Sequence, residues 1–252
     1  MECFNQWQGK KVAFLGDSIT DAAGVGTTKI YWQYLEELLG LQAFPYGANG
    51  SQWRGGLDQA QRLYREHGSD VDCICIFLGT NDYNSSILPG EFFTMRTELT
   101  NAHGHTHNRL RRIFSMDMET VCGRINNVLH FLKEHFPESQ ILLLTPIHRG
   151  YACFGGENVQ PEESFPNDLG LFVEEYVRLI KRAGEIWSVP VIDLFTLAGL
   201  FPMMDSHTRY FHKEDTDRLH PNAAGHARIA RTLCFQMMSL PSTFRDLPAV
   251  EK

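Results

Sequence analysis

The sequence predicts an α/β fold in which a five-stranded parallel sheet lies between two layers of helices. Short apolar runs such as VAFL at 12–15 and VDCICIFL at 71–78 alternate along the chain with longer stretches of helical periodicity. Several of these runs end in glycine followed by polar residues. In open parallel sheets, chemistry lies outside the carboxyl ends of the strands. No shift in composition divides the chain, so we expect one domain over 1–252.

The elements follow one another in a regular order. After the strand at 12–15, the pattern predicts a helix at 27–41 that stops at Gly40, because glycine favours helix ends. Strands then alternate with helices, and Pro221 precedes the last helix, where proline is well tolerated. The expected segments are strands at 43–46, 71–78, 140–144 and 189–193, and helices at 57–67, 118–135, 168–187 and 222–238.

Three stretches interrupt this alternation, near 83–117, 150–167 and 200–216. We expect them to form irregular, lid-like excursions, because loops of this length are usually functional or mobile. The first contains His103, His105 and His107, which could gather around a metal ion. The neighbouring sequence supplies no cysteine, so a polar loop is the favoured interpretation and no metal site is predicted.

Composition narrows the class of protein. The formal net charge of -7 argues against a nucleic-acid surface, which would need a basic patch. No apolar run approaches the ~20 residues that span a bilayer. The first residues, MECFNQWQGKK, lack an apolar signal region, which favours a cytoplasmic protein. A secreted or periplasmic protein whose leader had been removed would look the same.

Six cysteines are scattered through a chain that is long enough to build its own core. We expect reduced and mostly buried thiols rather than a disulfide framework. They are Cys3, Cys73, Cys75, Cys122, Cys153 and Cys234.

Ser18 follows the first predicted strand within the sequence GDSIT. A serine at the carboxyl end of a buried strand is placed where a nucleophile is useful. It could equally cap a helix, since Ser and Thr favour that position. At the other end of the chain, Asp217 and His220 lie three residues apart before the last helix. A single loop could thus carry a base and the carboxylate that orients it, or merely a capping Asp and a surface His.

Four blocks occur in the order found in one enzyme superfamily. They are GDSIT, Gly47 after the second strand, GTND after the third, and DRLHPNAAGH before the last helix. Together they resemble the SGNH hydrolases, also called GDSL esterases and lipases, over nearly the whole chain. The resemblance implies a flavodoxin-like three-layer α/β/α fold and no metal or organic cofactor.

The resemblance also implies the role of each residue. Ser18 would be the nucleophile, His220 the general base and then acid, and Asp217 the residue that orients His220. The oxyanion hole would consist of the backbone N–H groups of Ser18 and Gly47 and the side-chain amide of Asn81. The block around Gly47 matches more loosely than the others, and Gly50 is the other candidate for that donor.

Three further residues could contact a substrate. His148 and Arg149 end the fourth strand, where arginine could bind a carboxylate or sugar hydroxyls, although a surface pair is also consistent with the pattern. Trp53 follows the glycine-containing loop and could line a pocket or begin a helix in the core.

Two functions from different classes fit the sequence. The first is a serine esterase that acts on a small-molecule acyl ester, with short-chain or acetyl esters of carbohydrates favoured over lysophospholipids or thioesters. The second is a binding module, a silent hydrolase fold that only holds a ligand. The full set of five site residues favours the esterase, because a binding protein has no need for a base and an oxyanion hole. The sequence leaves the oligomeric state open.

Overall fold

The computed structural model describes residues 5–245, which form three layers. The elements in chain order are β1 (Lys11–Gly16), α1 (Tyr31–Leu39), β2 (Gln42–Pro45), α2 (Trp53–His67), β3 (Cys73–Phe77), α3 (Thr80–Asn84), β4 (Phe93–Ala102), β5 (His105–Phe114), α4 (Val121–His135), β6 (Gln140–Leu144), β7 (Ala152–Cys153), β8 (Val159–Gln160), α5 (Val173–Trp187), β9 (Val191–Ile192), α6 (Leu194–Leu197), a 3-10 helix (Asp205–Tyr210), β10 (Phe211–Lys213), β11 (Asp217–Pro221) and α7 (Ala223–Met237).

The central sheet has five parallel strands in the order β2-β1-β3-β6-β9. Counted among themselves, these strands follow the flavodoxin-like order 2-1-3-4-5, so the predicted fold class is confirmed. Strands β3 and β6 are buried along their whole length. Their alternate side chains enter two separate cores, one under α2, α4 and α5 and the other under α1 and α7.

Most helices begin later than the pattern predicts. The first helix begins at Tyr31 rather than near 27 and ends at Gly40, whose φ of 63° is easily adopted by glycine. The last helix is capped by Asn222, whose side chain accepts hydrogen bonds from the N–H groups of Ala224 and Gly225. In contrast, α2 begins four residues earlier than predicted, at Trp53.

The stretch 83–117 is not irregular, which corrects the sequence-based expectation. It contains a hairpin of two ten-residue strands, β4 and β5, which we call the arm. Its turn consists of His103 and Gly104, both at positive φ, as in the tight turns that suit twisted hairpins. Most arm side chains are exposed on both faces, so the hydrophobic alternation that marks a strand is weak.

A second sheet, also absent from the prediction, has the strand order β10-β11-β7-β8 and is antiparallel throughout. It pairs Asp217 of β11 with Ala152 of β7. The excursion at 150–167 is thereby fixed beside β11, the strand that carries His220.

Asp82 joins three helices beneath the end of β3. Its fully buried carboxylate accepts hydrogen bonds from the N–H of Trp53 at 2.9 Å and from Nη1 of Arg124 at 3.0 Å. Burial raises the pKa of Asp82 to about 6, against the opposing effects of these two donors. The neighbouring Asn81 is therefore held on a rigid element.

Among residues 5–245, no helix combines the length and apolarity needed to cross a membrane. Five cysteines within that range are free, and three of them are buried. Cys3 lies outside the described residues.

We expect Arg124→Met to lower the free energy of unfolding by about 3–5 kcal/mol at pH 8, because it leaves the buried Asp82 carboxylate without its cation. The matched control is Arg182→Met, which breaks an ion pair between exposed side chains and should cost at most about 1 kcal/mol. Urea denaturation measures both. Equal losses in the two variants would contradict the role assigned to the buried pair.

Candidate active site

Ser18 lies directly after β1 in a turn that depends on glycine. A Cβ atom on Gly16 would lie 2.6 Å from Cβ of Thr20, so no larger residue fits. The side-chain amide of Gln59 bonds to the backbone of Gly16 at two points. Its Oε1 accepts a hydrogen bond from the Gly16 N–H, and its Nε2 donates one to the Gly16 carbonyl oxygen, each at 2.8 Å. Gln59 also donates to Oγ of Ser51. The end of β1 is therefore fixed by a buried side chain of α2.

The structure brings Ser18, His220 and Asp217 together from opposite ends of the chain. Oγ of Ser18 lies 3.0 Å from Nε2 of His220, and Nδ1 of His220 lies 2.9 Å from Oδ2 of Asp217. All three residues are about 95% buried. The geometry matches a hydroxyl, an imidazole and a carboxylate linked in one hydrogen-bonded chain.

The Asp217 carboxylate is held by the backbone of its own strand, β11. Oδ1 accepts hydrogen bonds from the backbone N–H groups of Leu219 and His220. Burial raises the pKa of this carboxyl, but the hydrogen bonds and charge of His220 outweigh burial, so the net pKa lies below its ordinary value. Asp217 is thus ionised over the physiological range and favours a proton on Nδ1 of His220.

Besides the N–H of Ser18 itself, the predicted oxyanion donors are Gly47, with Gly50 as its alternative, and Asn81, and these residues lie around Ser18 in different ways. Gly47 presses against the Ser18 turn, since an added Cβ would lie 2.6 Å from Cβ of Thr20. Gly50 stands at the mouth of the cleft with a φ of 77° and open space beside it. Asn81 lines the same cleft as Ser18 and donates from Nδ2 to the carbonyl oxygen of Ser51 at 3.0 Å. Its second amide hydrogen remains for another acceptor.

A cleft of about 300 Å³ opens over Ser18 and His220. Its other lining residues are Val25, Asn49, Gly50, Asn81, Phe154, Asn158, Gln160 and Leu219. A larger groove of about 760 Å³ lies far from this chemistry, at the amino ends of β6 and β9. The smaller cleft is the candidate site because Ser18 and His220 are both among its lining residues.

Phe154, Asn158 and Gln160 were not singled out by the sequence. They come from the β7–β8 hairpin, whose two-residue strands are too short to leave a periodic pattern. The ring of Phe154 lies 5.3 Å from that of His220, measured between centroids. A run of amide and glycine residues, GGENVQ at 155–160, was the one available signal.

Trp53 does not line the cleft, which corrects one of the two interpretations of this residue. It is fully buried at the start of α2 and packs in the core under α2, α4 and α5. The interpretation as a core residue at a helix start is the one the structure supports.

Neither Arg149 nor His148 is among the residues that line the cleft. Arg149 is 1% exposed, and its guanidinium donates to Thr80, Asn84 and Gln160. His148 bonds to Glu163 and packs against the ring of Phe195. Their position at the end of a strand predicted the correct edge of the central sheet. Both side chains, however, contact other protein groups instead of facing the cleft.

Arg149 nevertheless orients a cleft residue. Its Nη2 lies 2.7 Å from Oε1 of Gln160, and this ionic donor fixes which end of the amide faces the protein. The Nε2 group of Gln160 then lies towards Asn158, at 3.5 Å from Oδ1. The cleft therefore presents an N–H donor at this position.

Asp17 is a buried carboxyl next to Ser18. It is 3% exposed, and Oδ1 accepts a hydrogen bond from the N–H of Ile19 at 3.0 Å. Burial raises its pKa from the ordinary 3.8 to about 7, more than the Ile19 hydrogen bond and the charge of His220 lower it.

We expect Asp17→Asn to stabilise the protein relative to wild type as the pH rises from 4 to 8. The folded-state pKa of Asp17 is above its ordinary value. Between about pH 4 and about pH 7, the unfolded state therefore releases the Asp17 proton while the folded state keeps it, and wild type loses stability as the pH rises. The relative gain should reach at most about 4 kcal/mol and then level off. Urea denaturation across this range measures it.

The control Asp58→Asn removes an exposed carboxylate of α2 and should follow the wild-type pH dependence. A gain for Asp17→Asn that is the same at pH 4 and pH 8 would contradict the assignment.

Most of this chain matches a known protein family. The family of GDSL-like lipases and acylhydrolases matches residues 14–228. A solved protein from Lactobacillus plantarum is 28% identical with a TM-score of 0.72, and the match covers 92% of this chain and 98% of that one. No functionally curated protein matches the sequence significantly.

Two more distant structures share the fold. A possible lipase from Chitinophaga pinensis is 21% identical with a TM-score of 0.68, covering 92% of this chain and 99% of that one. An acetylxylan esterase from Geobacillus stearothermophilus, solved as a catalytic mutant, is 18% identical with a TM-score of 0.52, covering 95% and 98%.

Proposed function

This chain belongs to the family of GDSL-like lipases and acylhydrolases, and we propose that it is a serine esterase acting on short-chain or acetyl esters of a polar alcohol such as a carbohydrate. The observation that carries the proposal is the chain of contacts from Asp217 through His220 to Oγ of Ser18. A hydroxyl is a poor nucleophile until a neighbouring base takes its proton, and this arrangement supplies that base.

In the proposed reaction, Oγ of Ser18 attacks the ester carbonyl carbon while Nε2 of His220 takes the hydroxyl proton. The tetrahedral intermediate then collapses, the bond to the alcohol oxygen breaks, and His220 gives its proton to that oxygen. A water molecule next attacks the acyl-enzyme as His220 accepts one of its protons. Collapse releases the carboxylic acid and returns the proton to Ser18.

Asp217 supports both steps through its contact with Nδ1 of His220. This contact keeps the Nδ1 proton in place, so that Nε2 is the nitrogen that faces Ser18 as a base. The carboxylate also stabilises the imidazolium that forms when His220 accepts a proton.

The developing oxyanion needs fixed donors. We assign this role to the N–H groups of Ser18 and Gly47 and to the amide of Asn81. Gly47 is favoured over Gly50 because its loop packs directly on the Ser18 turn, whereas Gly50 stands in open space. Each such donor typically lowers the barrier by ~3 kcal/mol.

The lining of the cleft supports the substrate class. Its volume of about 300 Å³ is at the lower limit of typical ligand sites, which favours small acyl groups. Apart from His220, the lining side chains are uncharged, which favours a neutral substrate. The amides of Asn49, Asn158 and Gln160 suit the hydroxyl groups of an alcohol, and Phe154 offers an apolar face.

We expect the protein to hydrolyse p-nitrophenyl acetate and butyrate at least ~10-fold faster than the palmitate ester, because the cleft is small. Ser18→Ala should lower kcat/KM by at least ~10³-fold, since the covalent step is lost. Release of p-nitrophenol measures both effects.

The matched control is Ser239→Ala, which removes an exposed hydroxyl just after α7 and should keep full activity. A preference for long chains would favour a lipase or lysophospholipase instead. Equal background rates in wild type and Ser18→Ala, with no labelling of Ser18 by a serine-directed phosphonate, would point to the binding module.

The pH dependence tests the base separately. We expect kcat/KM to rise with pH as His220 loses its proton and to level off on the alkaline side, because only the neutral imidazole can accept the Ser18 proton. Initial rates with the acetate ester measure this. A flat profile with chemistry rate-limiting would count against His220.

A further inference from the structure

The arm formed by β4 and β5 has one apolar face. Its strand register pairs Thr97 with Leu110 and Leu99 with Asn108, and directly paired side chains lie on the same face. Met95, Leu99 and Leu110 share this face and are 55%, 71% and 70% exposed. Three large apolar side chains along one exposed ribbon mark a surface that binds something.

The base of the arm is firmly attached to the protein. The ring of Phe114 stacks on Trp187 at the end of α5, with centroids 4.3 Å apart. Asn126 of α4 donates hydrogen bonds to the carbonyl oxygens of Phe92 and Ser115, on either side of the arm. The arm therefore has a fixed origin, and its ten-residue strands give it a reach of roughly 34 Å.

Charge separates the arm from the rest of the chain. The arm carries four arginines, Arg96, Arg109, Arg111 and Arg112, and one acidic residue, Glu98, for a formal charge of +3. The remaining residues include 19 of the 23 basic and 29 of the 30 acidic residues, for a formal charge of -10. Two arms would repel each other, whereas an arm and a second protein body would attract.

A surface of matching chemistry lies at the other end of α5. It spans 165–175, and we call it the acidic surface. Asp168, Glu174 and Glu175 are exposed there, together with the apolar side chains of Phe165, Leu169 and Phe172 at 56%, 40% and 45% exposure. It thus offers both an apolar contact and a negative field.

The positions of these two surfaces fit a two-fold arrangement. The arm starts beside Trp187, the last residue of α5, and the acidic surface surrounds the first residue, Val173. The 15 residues of α5 separate the two by roughly 22 Å. An antiparallel arrangement of the α5 helices of two copies would place the origin of each arm beside the end of the helix that carries the acidic surface of the other copy.

We propose that this protein forms a two-fold dimer in which the apolar face of each arm packs on the acidic surface of a second copy. The contact covers Met95, Leu99 and Leu110 and includes Arg112, which lies on the same face. The other three arginines lie on the opposite face and contribute through the net positive charge of the arm, which favours the negatively charged partner body. A two-stranded ribbon is marginally stable alone, so burial of this face also accounts for its length.

The test measures the mass of the full chain by light scattering after size-exclusion chromatography at about 0.15 M salt. We expect twice the chain mass of 28.8 kDa. The double variant Leu99→Asp/Leu110→Asp should weaken dimerisation at least ~10-fold. The control Thr100→Asp/His107→Asp adds the same charge to the opposite face, at two positions that pair with each other, and should remain dimeric. Thermal unfolding shows whether each variant is folded.

The contact itself is mapped with a photo-crosslinking amino acid at position 99, in a mixture of isotopically light and heavy chains. Crosslinks between light and heavy chains at 165–175 support the proposal. It is overturned by a monomer at up to 0.1 mM protein, a dimer with crosslinks from arm to arm, or a dimer that Leu99→Asp/Leu110→Asp does not weaken. A monomer that binds anionic vesicles or nucleic acid through the arm also overturns it.

Discussion

The contact of 3.0 Å between Oγ of Ser18 and Nε2 of His220 joins residues that are 202 positions apart. Two constraints hold it in place. Strand β1 lies inside the central sheet, so the Ser18 turn is anchored by neighbours on both sides and by Gln59 from above. Strand β11, which itself carries Asp217 and His220, is held in place by its pairing with β7 and β10. The site is rigid because both halves are parts of sheets.

Much of the central sheet and of the candidate site could be predicted from the sequence, because these features depend on local patterns. The strand at 140–144 is found within the predicted bounds, since a short apolar run between turn residues has few other structures open to it. Ser18, Asp217 and His220 could be identified as site candidates from their places next to predicted elements, whereas Asn81 and the role of each residue followed only from the resemblance to the SGNH hydrolases. The structure brings all four to one cleft or its immediate wall.

The rest depends on information that periodicity lacks. The strands β7 and β8 have two residues each, and their pairing with β11 is a tertiary event. The direction of a side chain at a strand end is also not encoded locally. Arg149 turns inward because Thr80, Asn84 and Gln160 offer it acceptors, and those acceptors come from distant segments. Its effect on the cleft is therefore indirect, through the amide of Gln160.

The order of the elements along the chain has a consequence for biosynthesis. All five strands of the central sheet have been made once Ile192 is added, whereas Asp217 and His220 follow 25 and 28 residues later. At a synthesis rate of roughly 5–20 residues per second, the strands of the central sheet and Ser18 are therefore synthesised first, and His220 follows seconds later. A nascent chain that stalls in this interval carries the Ser18 turn without the imidazole that we propose as its proton acceptor, so under the proposed mechanism its hydroxyl stays unactivated.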